Sequence, residues 1–122
     1  MLGCPAEDGP ARSEAARLSH AIDALRNADN AAKGPHLAGL REAACSVPDV
    51  CAVRSACVAG YELHLGALSA MTGAQAVLAD AGPDAAARVL DQAKADLERA
   101  HGLTERCAEG QGEMVRKYRV TK

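Results

Sequence analysis

Ala81-Gly82-Pro83-Asp84 interrupts two long helical patterns, and the residues on either side of it decide the fold. After it come Ala86, Leu90, Ala93, Leu97, Ala100, Thr104, Cys107, Gln111, Met114 and Tyr118, in alternating four- and three-residue steps. Such steps keep every side chain on one stripe of an α-helix. Before it a similar stripe runs through Val50, Val53, Cys57, Tyr61, His64, Leu68, Met71, Gln75 and Leu78. Gly-Pro ends one helix and opens the next. Residues from Pro48 to about Tyr118 are therefore expected to form an antiparallel helical hairpin whose two stripes face each other.

Composition agrees with a helical fold. The chain has 122 residues, enough for one domain, and 48% of them are apolar. Phe and Trp are absent, and Tyr61 and Tyr118 are the only aromatics. Burial must come from aliphatic side chains and from Ala, which adds little area but has the highest helix propensity. Few β-branched residues and no period-two alternation argue against a sheet. The expected class is all-α, a small four-helix bundle built on the long hairpin. A net charge of −2 gives no basic surface for nucleic acid. Arg116, Lys117, Arg119 and Lys122 gather at the C-terminus, where cations complement the negative end of a helix dipole.

At the other end, Met1-Leu2-Gly3-Cys4 resembles the close of a bacterial lipoprotein signal, in which the Cys is acylated. Pro5-Ala6-Glu7-Asp8-Gly9-Pro10 follows as a polar stretch with no reason to fold. Residues 1–10 are thus expected to be a flexible tether, and residues 11–119 a single helical domain. Helix 1 is expected from Ala11–Ser13, burying Leu18, Ile22 and Leu25, and stopping near Asp29-Asn30 or at the latest at Gly34-Pro35. That Gly-Pro opens a short helix 2 with Leu37, Leu40 and Ala44, and Ser46-Val47-Pro48-Asp49 is the next turn. No apolar run is long enough to span a bilayer, so a membrane role would come only through a lipid on Cys4.

The five cysteines fit two chain reversals. Cys45 and Cys51 each lie three residues from Pro48, and Cys57 and Cys107 each lie 25 residues from Gly82. Residues equidistant from an antiparallel turn sit at the same height. The expected disulfides are Cys45–Cys51 and Cys57–Cys107, with Cys4 left for acylation. Each bridge adds about 2–4 kcal/mol, which a core so poor in large side chains needs. Paired cysteines imply an oxidising compartment, here a periplasm or cell envelope. Free buried cysteines are the alternative. Zinc binding and dithiol chemistry lack the C-x-x-C spacing they use.

Candidate chemistry is sparse. His36, His64 and His101 fall at similar heights, and His64 and His101 form a weak alternative metal site, set against a single core histidine with others on the surface. No nucleophile elbow, Gly-rich phosphate loop or Glu-x-x-His pair occurs, and Glu62-Leu63-His64 has the wrong spacing for a di-iron site. No enzymatic activity and no cofactor are expected. Ala28-Asp29-Asn30-Ala31-Ala32 and Lys117-Tyr118-Arg119 resemble segments of soluble cytochrome b562, a periplasmic four-helix haem protein. The family's haem ligands are a Met in the first helix and a His near the end of the last. Helix 1 here has no Met and no His follows His101, so no haem site is carried over.

Between Glu62 and Asp80 there is no formal charge. Helices 1 and 2 are too short to cover all of it. A bare, uncharged helical surface is expected to bind a protein partner or a second copy, through Leu68, Met71, Ala74, Gln75 and Leu78 within residues 63–79. Against this, glycine inside a helix often marks a break. The sequence leans towards a bend at Gly66 or Gly73, with Gly102 on the other arm, that folds the segment back into a compact bundle. The function read from the sequence is a non-enzymatic binding or scaffold protein of the cell envelope; the alternative is a small periplasmic metal- or haem-binding redox protein.

Overall fold

The computed structural model describes the backbone of residues 3–121 and the side-chain surroundings of residues 9–121. Among these residues it is all-helical. Helix α1 spans Gly3–Asn27, a 3-10 turn covers Asn30–Ala32, and α2 spans Lys33–Glu42; α3 spans Pro48–Ala81 and α4 spans Pro83–Lys117. Helix α1 starts well before the expected Ala11–Ser13 and carries Pro10 inside it. Periodicity could not show this, because Pro5, Gly9 and Pro10 are poor helix formers that mark a boundary only when nothing else holds the backbone.

The hairpin arms are continuous. Helix α3 has 34 residues and α4 has 35, so the expected break at Gly66, Gly73 or Gly102 does not occur. A single residue, Gly82, separates them at φ 92° and ψ 175°, a conformation that only glycine adopts readily. Pro83 then supplies the fixed φ that starts α4, as Pro48 does for α3 after an extended Val47.

Helices α1 and α2 pack on one side of the basal half of this hairpin, here called its front. The core sits there: Ala15, Leu18, Ile22 and Leu25 of α1 and Leu37 and Leu40 of α2 close over Val50, Cys57, Tyr61, Cys107 and Met114. Both cysteine pairs anticipated from the two turns are at bonding distance, with Cα atoms 5.5 Å apart for Cys45–Cys51 and 4.6 Å for Cys57–Cys107. One ties the α2–α3 loop to α3, and the other joins the hairpin arms inside the core. The pairing points to an oxidising environment for this chain. No helix among the described residues is long and apolar enough to cross a membrane.

Polar groups fix the base. The buried Glu14 carboxylate accepts the backbone N–H groups of Ser46 and Val47 at 2.8 and 3.0 Å and the Ser46 hydroxyl at 2.8 Å. Buried Lys33 donates to the carbonyls of Leu25, Arg26 and Ala28 at 2.9, 3.0 and 2.6 Å, closing the C-terminal end of α1. Gln111 on α4 donates to the Ser19 hydroxyl and the Asp23 carboxylate of α1 at 3.0 and 2.9 Å and accepts from Arg26 at 2.7 Å. Asp49 accepts from the Tyr118 hydroxyl at 2.7 Å and from Lys117, locking the end of α4 to the start of α3.

Candidate functional site

Beyond the level of His64 on α3 and Ala100 on α4, the two arms continue alone. Here the seam between them is made of the smallest side chains. Ala67 and Ala74 on α3 meet α4 at Ala86, Ala93 and Ala100, all 7% exposed or less. Larger residues on the same helices stand beside the seam instead of in it. Ala at the contact lets helix axes come to the short end of the usual 8–10 Å range. Leu or Met at the same positions would hold the arms apart.

The consequence is a bare apolar flank. Among the described residues the large hydrophobics left exposed are Met71 at 42%, Leu78 at 50% and Leu90 at 43%, all in this distal part. They continue, in seven-residue steps, the surface that α1 and α2 cover lower down. Tyr61 leads to Leu68 and Gln75; His64 leads to Met71 and Leu78; Gln111 leads through Thr104 and Leu97 to Leu90. The opposite side of the same segment has a shallow groove lined by Ala70, Val77, Ala85, Arg88, Val89, Gln92, Ala93 and Asp96.

Where covered and bare surface meet, Asn30, Lys33, Tyr61, His64, Leu97, His101 and Thr104 line a concavity. His64 Nε2 lies 3.2 Å from the Asn30 side-chain oxygen, and burial, helped by the Lys33 charge, lowers the His64 pKa. His101 is exposed and pairs with Glu105 of its own helix at 2.7 Å. The structure therefore brings the two histidines named from the sequence to one concavity, each with another partner. No group of three metal-ligating side chains forms among the described residues.

Of the surface expected to meet a partner, Met71, Gln75 and Leu78 are exposed and Leu68 is half-buried. Ala74 is 6% exposed, inside the seam. The stripe reading placed His64, Leu68, Met71, Gln75 and Leu78 between the arms, whereas the seam runs one helical ridge over, through Gly60, Ala67 and Ala74. The side chain of Cys4, the expected acylation site, lies outside the described residues. Glu14 and Lys33 went unrecognised as anchors in the sequence, where each is one charge among many. Gln111 did carry a signal, since a polar residue on a buried stripe requires a partner.

No protein-family model, characterised protein or solved structure matches this chain.

Proposed function

We infer that this chain is a non-enzymatic docking protein of the bacterial cell envelope, held to a membrane by acylation of Cys4. The disulfide-stapled base acts as a mount, and the distal hairpin presents helical surface to a protein partner. The observation that carries the reading is where the exposed large side chains lie. Met71, Leu78 and Leu90 are all on the distal hairpin, while the base buries its own. Leaving such surface in water is unfavourable by about 25 cal/mol per Å², and surface of this kind marks an interaction site. An oxidising compartment follows from the paired cysteines, and the envelope location extends that to the lipoprotein-like start.

The test is site-specific photo-crosslinking in the native host, with the reactive residue at Leu78, at Leu90, or at Arg17 on the base. Discrete crosslinked species from the two distal sites, absent from the basal site and abolished by Met71→Glu, support the reading. Equal or absent crosslinking at distal and basal sites overturns it. Metabolic labelling with palmitate, lost on Cys4→Ser, tests the anchor separately.

A further inference from the structure

The distal front face has a charge pattern that matches itself. On α4 the exposed polar groups on the front and outer sides are, in order, Asp84, Asp91, Lys94, Glu98 and His101, while Arg88 lines the groove on the opposite side. Asp91 and Lys94 are disposed about a centre between Gln92 and Ala93. So are Asp84 and His101. Asp91 and Lys94 have opposite sign, while His101 is already paired with Glu105 of its own helix at 2.7 Å. Two copies of α4 laid antiparallel about that centre bring Asp91 of each beside Lys94 of the other. Asp84 then lies level with His101.

Length gives the same centre independently. The bare front begins where α1 and the 3-10 turn stop, at His64, which touches Asn30. It ends at Ala81, the last residue of α3. Its midpoint is near Thr72, and the residue of α4 level with Thr72 is Gln92. An antiparallel copy centred there overlaps the whole bare length, with each tip reaching the level at which the other's 3-10 turn stops. On α3, which has no charge from Leu63 to Ala79, this register sets Leu68 over Gln75, Met71 beside its own copy, and Leu78 over Leu65. Nothing on that arm repels a like chain. Two helices about 10 Å wide over about 26 Å give each copy roughly 500 Å² of contact. The total, about 1,000 Å², is at the floor for a specific interface and fits a reversible pairing.

We propose that the distal hairpin pairs with a second copy of this chain, front to front and antiparallel, forming a two-fold four-helix segment with α3 against α3 and α4 against α4. This rests on the distal hairpin being a docking surface, and names its occupant. The interface is isologous, so each charge contact occurs twice.

The test is sedimentation equilibrium of the full oxidised chain from about 1 μM to about 1 mM, a range that spans weak specific affinities. A mass rising from one chain to two is expected. Lys94→Asp sets four carboxylates together at the centre and is expected to weaken the dimer at least tenfold; Asp91→Lys does the same with four amines. The double variant carrying both changes restores the opposite-sign contacts and is expected to recover wild-type affinity. Both sites are exposed, and far-ultraviolet circular dichroism checks that each variant keeps its helices. A monomer throughout overturns the pairing while leaving the distal hairpin open to a different protein, which the crosslinking above decides. A dimer that ignores the single reversals, or is not rescued by the double one, overturns this register.

Discussion

Gly60 on α3 lies directly against Thr104 on α4. A β-carbon at Gly60 would fall 3.0 Å from the Thr104 methyl, 3.1 Å from its backbone nitrogen and 3.2 Å from the Leu103 carbonyl carbon. Two of these neighbours are backbone and cannot swing away. The contact sits one turn from Cys57–Cys107, which pins the arms together at that level. Gly60→Ala gains about 1 kcal/mol of helix propensity but costs about 1–3 kcal/mol in overpacking. Net destabilisation of about 1 kcal/mol is expected, read as a lower urea midpoint. Gly73→Ala meets open space and Gly110→Ala meets only Val53 at 3.5 Å, so both are expected to stabilise. A Gly60→Ala protein more stable than wild type would mean the arms are free to separate.

That contact shows how far the sequence could be read. The turn at Gly82, the level pairing of Cys57 with Cys107 and the helical class all follow from periodicity and counting, because helix rise is constant and an antiparallel turn is symmetric. Which of two adjacent ridges forms the seam does not follow from hydrophobicity. Met71 and Leu78 outrank Ala67 and Ala74 as apolar residues, yet the smaller pair takes the contact because it permits closer approach. The same reasoning that found the stripe therefore assigned Ala74 to the surface. Helix continuity through Gly66 and Gly73 was also beyond reach, since the penalty of about 1 kcal/mol per glycine is small against the packing of a whole arm.

The two disulfides should differ in weight. Cys57–Cys107 closes a loop of 50 residues and Cys45–Cys51 one of 6. Loop-closure entropy assigns about 4 kcal/mol to the longer and about 2 kcal/mol to the shorter. Replacing Cys57 and Cys107 with Ala is expected to lose at least the larger amount, because the site is fully buried and a cavity adds to the loss. Replacing Cys45 and Cys51 should leave a folded protein with a modestly lower midpoint. Equal losses in urea unfolding would show that loop length is not what sets their contributions.

Lys33 makes a separate prediction. Its ammonium group satisfies three carbonyls at the end of α1 and is only 7% exposed with the rest of its residue. Lys33→Met keeps the apolar stem and removes the donors. The expected loss is about 1.5–3 kcal/mol, the range for hydrogen bonds involving a charged group. Amide hydrogen exchange should speed up first around Arg26–Ala32, where the freed carbonyls let the helix end fray. Unchanged protection there would remove Lys33 from its role as a cap.

Glu14 ties stability to pH, and the sign can be worked out. Its carboxylate pKa is lowered, first by the hydrogen bond from the Val47 backbone N–H and then by the backbone and hydroxyl donors of Ser46, with burial acting in the opposite direction. A carboxyl group whose folded pKa lies below its unfolded one binds more protons when unfolded. Its stabilising contribution is fully present above the unfolded value, near the ordinary 4.5, and is lost as pH falls through the lower folded value. Asp49, lowered chiefly by Lys117 and Tyr118, changes in the same direction and must be separated from it. Glu14→Gln does this, because the variant keeps Asp49. The variant is expected to be less stable than wild type at pH 7, by about 1–3 kcal/mol for the weakened acceptor. Below about pH 4.5 the gap should narrow as the wild-type carboxylate takes up its proton. Urea midpoints measured for both proteins across that range decide it. A gap of constant size from pH 7 to pH 3 would mean the loop before α3 is held by something other than the charge on Glu14.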